Sequence, residues 1–339
     1  MVSVILPVRN EERFIERCLE AVVGQDHPAE RLEIIVVDGR STDATRKIVQ
    51  RFQKVHPNII LLDNPEKVVP TGFNKALDIA RGEVIVRVDG HTIIAPDYVR
   101  QCVAALERTK ADCVGGGMHA ISTDPVGVAI SRATSSPFGV GGSRFHYSRH
   151  EEFVDSVYLG AWPRSAFERF GRFDPEMVRN QDDEFSYRIR ELRGVILLIP
   201  GIRSRYYNRS SIKSLWRQYY QYGYWKVRVL QKHRRQMRLS HFVPPTFVGS
   251  VVGSAVLSVI FPVFLWVLGG ILGLYCFANM LATIITGRGG PVRSLPVIPV
   301  AFATMHCAYG SGFLIGLTRF FHKWPYHKTG KIRGGTITI

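Results

Sequence analysis

Two side chains that can bind a divalent cation stand two residues apart, directly after an apolar run. The run is residues 84–88, VIVRV, and it is followed by Asp89, Gly90 and His91. In an extended backbone, side chains two residues apart point to the same side, so Asp89 and His91 can converge on one point. A carboxylate and an imidazole in this arrangement predict a metal site. Taken alone, the three residues are also explained by a turn acid followed by a surface histidine.

Three consecutive acids, Asp182, Asp183 and Glu184, follow Asn180 and Gln181. An asparagine before an acidic turn is typical of a helix start, because its side chain can cap the first backbone N–H groups. The acids would then interact favourably with the positive end of the helix dipole. The residues alone therefore favour a structural role, in which replacing any one of the three acids by its amide should cost a little stability and spare the chemistry.

A further acid, Asp38, follows the apolar run at residues 32–37, LEIIVV. Carboxylates at the ends of two strands suit a nucleotide whose base or ribose is bound by one carboxylate and whose diphosphate is bridged by a metal on the other. Neither G-x-G-x-x-G after the first strand nor G-x-x-x-x-G-K-[ST] occurs in the chain. Their absence argues against a dinucleotide site and a P-loop.

The elements that must position these groups alternate along the first part of the chain. Short apolar runs are separated by segments whose apolar residues recur at helical spacing, with turn residues between them. The predicted strands are residues 2–8, 32–37, 58–62 and 81–89, and the predicted helices are residues 12–23, 44–55 and 72–80. This alternation predicts an α/β fold with a doubly wound, mostly parallel sheet, whose ligand site lies at the carboxyl ends of the strands.

Four motifs in this order resemble those of the family-2 glycosyltransferases of the GT-A fold. The motifs are VILPVRNEE, VVDGRSTDAT, Asn74-Lys75-Ala76-Leu77 with Ala80-Arg81-Gly82, and VDGH. The resemblance covers residues 1–235 and implies a GT-A domain that uses a nucleotide-sugar donor. Together with the later NQDDE and YGYW, the pattern looks most like the exopolysaccharide glucosyltransferases of the succinoglycan type.

The resemblance implies roles for particular residues. The family's metal motif is usually D-x-D, and Asp89 and His91 stand in its place; the imidazole favours Mn²⁺ over Mg²⁺, which prefers oxygen ligands. Residues 181–184 align with the catalytic motif E-D-x-[DE], with glutamine replacing the first acid, which puts Asp182 at the catalytic base. The implied donor-binding residues are Pro7, Arg9, Glu11, Asp38, Lys75 and Asp89.

The resemblance also implies acceptor-binding residues, namely Glu184, Gln221 and Trp225. Gln221-x-x-x-Trp225 is similar to the Q-x-x-R-W motif of processive relatives, but Tyr224 stands in place of the arginine. This departure argues against processive synthesis.

A glycine-rich stretch at residues 135–142, SSPFGVGG, precedes a basic cluster. The cluster comprises Arg144, His146, Arg149 and His150. An exposed loop explains this segment. The functional alternative is a mobile loop that closes over the donor diphosphate or shapes the acceptor cleft.

The acidic residues all lie in the first part of the chain, and the excess positive charge comes after them in sequence. All 28 acidic residues precede residue 192, whereas 18 of the 44 Lys and Arg residues follow residue 200, and the net charge is +16. The basic segment at residues 202–239 also carries many Tyr and Trp side chains. Such a segment can stack on single-stranded nucleic acid, or it can lie at a membrane surface with its bases on lipid phosphates.

The residues that follow favour the membrane over nucleic acid. Residues 239–287 are all uncharged, about twice the ~20 residues of one spanning helix, which predicts two close-packed spans that turn near Pro262 or Gly269-Gly270. Residues 294–318 form a further uncharged run. Because the loop at residues 288–293 and the tail are basic, we expect residues 294–318 to re-enter or to lie along the interface. The predicted domains are a GT-A domain at 1–200, basic aromatic interfacial helices at 201–240, a membrane domain at 241–321 and a basic tail at 322–339.

The sequence thus predicts a metal-dependent inverting glycosyltransferase in the cell (inner) membrane, with a cytosolic catalytic domain. Its donor would be a nucleotide-diphosphate sugar, namely a uridine diphosphate sugar. It would transfer the sugar to a lipid-linked polyprenyl acceptor in polysaccharide or glycoconjugate assembly. Anionic membrane lipids are further expected partners, and nucleic acid is not. The alternatives are a polyprenyl-phosphate sugar synthase and a non-catalytic membrane scaffold with a degenerate fold. The sequence gives no oligomeric state.

Overall fold

The computed structural model of the chain describes residues 1–122, 124–208 and 210–324. Nine strands and twelve α-helices lie within these ranges. The strands are β1 (Val2–Val8), β2 (Leu32–Asp38), β3 (Ile59–Asp63), β4 (Val84–Arg87), β5 (Thr92–Ile94), β6 (Cys113–Ile121), β7 (Glu152–Phe153), β8 (Tyr158–Pro163) and β9 (Ile196–Tyr207). The helices are α1 (Ile15–Val23), α2 (Thr45–Val55), α3 (Val69–Ile79), α4 (Tyr98–Thr109), α5 (Pro125–Thr134), α6 (Pro137–Val140), α7 (Ser165–Arg169), α8 (Gln181–Glu191), α9 (Ile212–Lys232), α10 (Val243–Ser258), α11 (Val263–Gly287) and α12 (Ile298–Arg319).

All nine strands belong to one sheet. Its order is β3-β2-β1-β4-β8-β6-β9-β5, and β7 also pairs with β9. The strands β3, β2, β1 and β4 are mutually parallel, whereas β5, β7 and β8 run antiparallel to their neighbours. Six of the nine described strands therefore run in one direction, and the predicted α/β fold with a mostly parallel sheet is confirmed.

Helices cover both faces of the sheet, so the strands are buried on both sides. In β1, Val4 and Leu6 belong to one apolar cluster with residues of α1 and α4. Ile5 points to the other side and belongs to a second cluster with residues of α3 and α8. Each such side chain stabilises the fold by about 1.5–3 kcal/mol when fully buried. The two cores fix the carboxyl ends of β1 and β4, where the predicted site residues follow.

Two predicted boundaries differ from the structure. The strand predicted at residues 81–89 is β4, which ends at Arg87, so Asp89 lies in the turn after the strand. The domain boundary predicted at residue 200 falls inside β9, which runs on to Tyr207 because it pairs with β5 and β6. The sheet of the catalytic domain therefore includes residues assigned from sequence to the interfacial segment.

Three helices among the described residues are long and apolar enough to cross a membrane. They are Leu239–Ser258, Val263–Gly287 and Val292–Arg319. The uncharged run at residues 239–287 breaks at Pro262, one of its two predicted turning points, whereas Gly269 and Gly270 lie inside α11. The membrane segments predicted from sequence are therefore present as helices.

The helix α12 differs from α10 and α11 because it packs along α9. Gly223 of α9 lies against the backbone of Tyr309, and Gly312 of α12 lies against the backbone of Tyr220. A side chain at either glycine would collide with the opposite backbone, so glycine permits this close approach. Half of the third apolar span is buried inside the protein, against 11% and 6% of the other two. Protein rather than lipid therefore covers much of α12.

The second half of α9 is also covered by protein, which corrects the prediction of an interfacial segment throughout residues 201–240. Three of its basic side chains are buried and paired with acids of the catalytic domain: Lys226 with Asp183, Arg228 with Glu176, and Lys232 with Asp174. At the other end of the helix, Lys213 and Arg217 are exposed. Contact with lipid phosphates is therefore a prediction for the first half of α9 only.

Both ends of α12 contact the catalytic domain. At its start, Ile298 and Phe302 pack against Ala129 and Ile130 of α5. After its end, the backbone oxygen of Phe320 accepts a 3.0 Å hydrogen bond from Gln231, and Lys323 pairs with Glu176. Neither end of α12 is therefore separated from the part of the chain that carries the sheet. The basic tail predicted beyond it, with Lys328, Lys331 and Arg333, lies outside the described residues.

We therefore expect residue 321 to lie on the same side of the membrane as the catalytic domain. In a chain whose Cys276 and Cys307 have been replaced by serine, a cysteine at Phe321 should be protected from an impermeant periplasmic reagent in intact cells and react after permeabilisation. The matched control is Val55→Cys, because Val55 is 72% exposed on the catalytic domain and Phe321 is 78% exposed. Labelling of residue 321 but not of residue 55 in intact cells would show that α12 crosses the membrane.

Candidate active site

A cavity of about 1210 Å³ runs from the carboxyl ends of β1 and β4 to the apolar helices α10, α11 and α12. Its polar end is lined by Pro7, Arg9, Glu11, Lys67, Arg87, Asp89, His91, Arg179 and Asp182. Its apolar end is lined by Val243, Phe247, Ile271, Leu274, Tyr275 and Met305. The predicted metal ligands and the predicted catalytic base therefore share one cavity.

Asp89 is held by a buried arginine. Its Oδ1 accepts a 2.9 Å hydrogen bond from Nε of Arg87, and its Oδ2 accepts a 3.3 Å bond from Nη2. Burial alone would lower the pKa of Arg87, but the carboxylates of Asp89 and Asp182 outweigh burial and raise that pKa. A permanent cation therefore lies beside both the predicted metal ligand and the predicted base.

His91 is oriented by Glu11. Its Nδ1 lies 2.9 Å from Oε1 of Glu11, and the ring of Tyr206 meets the imidazole edge-on at 5.2 Å. Because an ionised carboxylate can only accept a hydrogen bond, this contact assigns the proton to Nδ1. In the neutral imidazole, Nε2 then carries a lone pair. The side chain of Glu11 thus contacts His91, although the resemblance implied that it contacts the donor.

The donor atoms present fit a divalent cation. An imidazole whose other nitrogen is fixed by a carboxylate is the usual arrangement at a metal-binding histidine, and the Asp89 carboxylate opens on the same cavity. Among residues 1–122, 124–208 and 210–324, no three His, Cys, Asp or Glu side chains group as a complete metal site. The chain would therefore supply two ligands and leave the other positions to substrate phosphate oxygens and water.

Asp182 is the second residue of α8, and its side chain is exposed to the cavity. Desolvation by the walls of the cavity raises the pKa of Asp182, the neighbouring Asp183 carboxylate raises it further, and the Arg87 guanidinium opposes both. A carboxylate with a raised pKa is a better proton acceptor than an ordinary aspartate. The environment of Asp182 therefore suits a general base.

The start of α8 is not capped in the predicted way. Asn180 has a left-handed backbone with φ of 57°, and its side chain makes no cap hydrogen bond. Its Nδ2 instead donates a 2.9 Å bond to the backbone oxygen of Tyr222 in α9. Asp183 pairs with Lys226, also in α9. The helix start is therefore fixed by tertiary contacts with α9 rather than by a local cap.

The three implied acceptor-binding residues do not line the cavity. Glu184 is 3% exposed and is paired with Arg188 at 2.7 Å and with His233 at 3.1 Å. Trp225 packs against Phe320, with a ring distance of 5.6 Å. The face of α9 that does line the cavity carries Gln218, Tyr219, Tyr222 and Lys226. Gln221 and Trp225 lie four residues apart on a different face of the helix, so their role in acceptor binding stays a prediction that the lining of this cavity does not support.

Two implied donor residues are also displaced from the cavity wall. Asp38 is fully buried; its carboxylate accepts bonds from Ser41 Oγ at 2.6 Å and from Arg46 at 3.0 Å. Its neighbours Val37 and Gly39 line the cavity. Lys75 lies outside the cavity lining and pairs with Glu66 at 3.7 Å, whereas Lys67 lines the cavity. Pro7 and Arg9 line the cavity, and their contact with a donor stays a prediction.

Sequence reasoning missed several polar residues of the cavity. Arg87 had a signal, because an arginine within the buried run VIVRV must be paired with an acid. Gln218, Tyr222 and Lys226 recur at intervals of four residues and so lie on one face of a helix. The sequence does not indicate which face of that helix meets the site. Arg179 lies just before α8 and Lys67 just before α3. No sequence pattern around either residue marks it as part of a site.

The glycine-rich segment forms a wall of the cavity next to α12. Phe138 packs edge-on against the rings of Phe302 at 5.0 Å and His306 at 4.9 Å. The backbone oxygen of Phe138 lies 2.8 Å from Nε2 of His306. Of the two functional alternatives, these contacts favour shaping of the acceptor cleft; closure over the donor stays a prediction.

Comparison with protein families gives one match across half of the chain. Residues 3–176 match the family described as "Glycosyl transferase family 2". The matched segment contains Asp38, Asp89 and His91 and ends before α8 begins.

Two characterised relatives are similar over nearly the whole chain. One is the dolichyl N-acetyl-alpha-D-glucosaminyl phosphate 3-beta-D-2,3-diacetamido-2,3-dideoxy-beta-D-glucuronosyltransferase of Methanococcus voltae, 28% identical over 94% of this chain and 97% of the relative. The other is the succinoglycan biosynthesis protein ExoA of Rhizobium meliloti (strain 1021), 26% identical over 91% of this chain and 93% of the relative. The similarity thus includes the C-terminal helices.

Solved structures share the fold. The mannosyltransferase PcManGT from Pyrobaculum calidifontis, in complex with GDP-Man and Mn²⁺, superposes with a TM-score of 0.56 at 19% identity, covering 96% of this chain and 88% of that chain. S. aureus TarS 1-349 in complex with UDP-GlcNAc gives a TM-score of 0.53 at 16% identity, covering 96% and 93%. These neighbours support the GT-A architecture.

Proposed function

The chain belongs to glycosyl transferase family 2, and from this membership we propose that it is an inverting glycosyltransferase that moves a sugar from a nucleotide-diphosphate sugar to a lipid-linked acceptor. One observation carries the proposal: a single cavity has Asp89, His91 and Asp182 at one end and the apolar helices α10 and α11 at the other. A polar donor and an acceptor with an apolar tail need these two surroundings within one site.

The nucleotide of the donor would lie over the carboxyl ends of β1 and β2, against Pro7, Arg9 and Gly39. Arg9 and Lys67 would attract its phosphates. Asp38 stands behind this wall, and its bonds to Ser41 and Arg46 would fix the shape of the base pocket. We propose a uridine diphosphate sugar as the donor.

Asp89 and Nε2 of His91 would hold a divalent cation, with Mn²⁺ preferred over Mg²⁺ because one ligand is an imidazole. Such a cation, when bound, offsets the negative charge that develops on the departing diphosphate. The chain supplies the supports: Glu11 orients the His91 ring, and Arg87 holds the Asp89 carboxylate.

Asp182 would accept the proton of the acceptor hydroxyl as its oxygen attacks the anomeric carbon. The new bond joins that oxygen to the anomeric carbon, and the bond from this carbon to the diphosphate oxygen breaks on the opposite face. The configuration at the carbon is therefore inverted. The raised pKa of Asp182 suits this role.

The names of the two relatives support a lipid-linked acceptor in polysaccharide or glycoconjugate assembly. The Methanococcus voltae relative is named for transfer to a dolichyl-linked sugar, and the Rhizobium meliloti relative for succinoglycan biosynthesis. With three apolar helices beside the cavity, we propose that the chain acts at the inner face of the cell membrane.

The two alternatives differ in what the cavity does. A polyprenyl-phosphate sugar synthase would use the same donor site with a lipid phosphate as the acceptor. A non-catalytic scaffold would have no need to adjust the pKa of Asp182. In this chain Arg87, Asp183 and desolvation by the cavity walls all change that pKa. This arrangement favours an enzyme.

The experiment that tests the function is a transfer assay with the full chain in lipid nanodiscs. Uridine and guanosine diphosphate sugars are each supplied with polyprenyl phosphate and with a polyprenyl-diphosphate sugar. Sugar transfer to the latter supports the proposal. Transfer to polyprenyl phosphate alone would favour the synthase, and the absence of transfer from every donor would favour the scaffold.

We expect Asp89→Ala to abolish metal-dependent donor binding, measured by calorimetry with Mn²⁺ present, because a cation ligand is lost. Asp89→Asn is tested beside it, since it leaves Arg87 a partner of similar size. His91→Asp should retain activity and shift the preference from Mn²⁺ towards Mg²⁺, because oxygen replaces nitrogen. The control is Asp78→Ala, an exposed acid that pairs with Arg172 outside the cavity lining. Unchanged donor affinity in both Asp89 variants would contradict the metal assignment.

A further inference from the structure

The apolar end of the cavity reaches the outer surface beside α10 and α11. Val243 of α10 and Leu274 of α11 line the cavity and are also 64% and 71% exposed. These two side chains therefore form the rim of an opening to the outside. Behind them, the rings of Phe247 and Tyr275 stack at 4.3 Å with an interplanar angle of 22°. We call these four residues the portal.

The surface around the portal is apolar. On α11, Phe277 is 69% exposed and Ile284 is 61% exposed, and no charged residue occurs between residues 239 and 287. An exposed apolar surface of this kind marks a membrane-binding or ligand-binding region. The portal thus opens on the part of the molecule that is suited to hydrocarbon.

A chain of hydrogen bonds links Tyr275 of the portal to the neighbouring wall of the cavity. His306 Nε2 lies 2.8 Å from the backbone oxygen of Phe138, which can only accept, so Nε2 carries the proton. Nδ1 of the neutral ring is then the acceptor for the Tyr275 hydroxyl, 3.0 Å away. Both polar groups are satisfied by each other and by Phe138. They therefore hold α6, α11 and α12 around an opening between apolar walls.

The charge at the other end of the cavity sets the chemistry of the occupant. Arg179 lies three residues before Asp182, is exposed to the cavity and has no ion pair among residues 1–122, 124–208 and 210–324. A guanidinium is suited to a phosphate group. A ligand that reaches from Arg179 to the portal carries a phosphate at one end and a hydrocarbon chain at the other.

We propose that the portal binds the isoprenoid chain of the lipid-linked acceptor and lets it extend into the bilayer while the phosphate end lies near Arg179 and Asp182. This inference rests on the proposed function and adds the route of the acceptor. The acceptor enters laterally from the membrane between α10 and α11, and the donor binds from the side of the sheet.

The test compares two acceptors with the same sugar diphosphate, one on a long isoprenoid chain and one on a short, water-soluble chain. In Leu274→Arg, the KM for the long-chain acceptor should rise at least about tenfold, the loss expected when a few methylene groups lose apolar contact. Its kcat and the kinetics of the short-chain acceptor should be unchanged. Leu272→Arg is the matched control, because Leu272 is exposed on the same helix but does not line the cavity.

A second variant, Leu274→Trp, keeps the position apolar and narrows the mouth, so it tests the portal even where an arginine prevents folding. It should also raise the KM for the long-chain acceptor alone. Wild-type kinetics with the long chain in the folded Leu274 variants would overturn the portal and leave the proposed function standing. Failure of the wild-type chain to use either acceptor would overturn the proposed function and the portal together.

Discussion

Replacing Asp182 by asparagine is expected to lower turnover by about 10²–10⁴-fold while the donor and the metal still bind. The amide keeps the size of the side chain and cannot accept the acceptor's proton. Asp182 opens on the same cavity as Asp89 and His91, so its loss removes the carboxylate next to the proposed reaction centre. The measurement is single-turnover transfer, with donor affinity determined in parallel by calorimetry.

The same assignment predicts the acid limb of the pH profile. A base must be ionised, and desolvation by the cavity walls together with Asp183 raises the pKa of Asp182 above that of an ordinary aspartate. The rate should therefore begin to fall at a higher pH than an unperturbed aspartate would give, and this limb should be absent from the residual rate of Asp182→Asn. If Asp182 only complements the helix dipole, the amide would cost about 0.3–1 kcal/mol of stability and leave the rate near that of the wild type.

The second large effect concerns the stability of the protein when Asp183 is replaced, for which the structure predicts a larger loss than the small one expected of a helix-dipole partner. Asp183 pairs with Lys226, whose side chain is 7% exposed against 25% for Asp183. Burial alone would lower the pKa of Lys226, but Asp183 outweighs it and raises that pKa, so the lysine is charged. Asp183→Asn leaves this buried cation without its counter-ion. We expect a loss of about 3–5 kcal/mol in the free energy of unfolding.

Because the side chain of Lys226 is less exposed than that of Asp183, the two single variants should lose different amounts of stability. Lys226→Met should cost less than Asp183→Asn, because the remaining carboxylate faces the cavity and can be hydrated. The double variant Asp183→Asn/Lys226→Met should regain most of the stability, because neither charge remains. The measurement is denaturant unfolding of the full chain in detergent micelles. Equal, small losses in both single variants would show that the pair is solvated and that Asp183 is only a helix-start acid.

The comparison of these two neighbours shows what a local pattern can and cannot predict. Three acids at a helix start are equivalent by composition, yet each has a different environment. Asp182 opens on the cavity, Asp183 neutralises a lysine of α9, and Glu184 is buried with Arg188 and His233. Helical geometry separates their directions, but only the packing of α8 against α9 decides what each direction meets.

Local patterns along the chain were enough to predict the elements and the candidate side chains at their ends. Apolar runs and helical spacing predicted the parallel strands β1–β4, and the motifs around Asp38, Asp89, His91 and Asp182 predicted the family, because these patterns depend on neighbouring residues along the chain. The break at Pro262 was predictable for the same reason.

Which side chains share the cavity depends on tertiary packing. The face of α9 with Gln218, Tyr222 and Lys226, rather than Gln221 and Trp225, meets the site because glycines of α9 and α12 bring the two backbones together and fix the rotation of α9. Arg87 joins Asp89 because a charge in a buried strand must find its counter-ion nearby. Glu11 reaches His91 because β1 and β4 are adjacent strands. Such contacts depend on residues that are distant in the chain, and helical or strand periodicity carries no record of them.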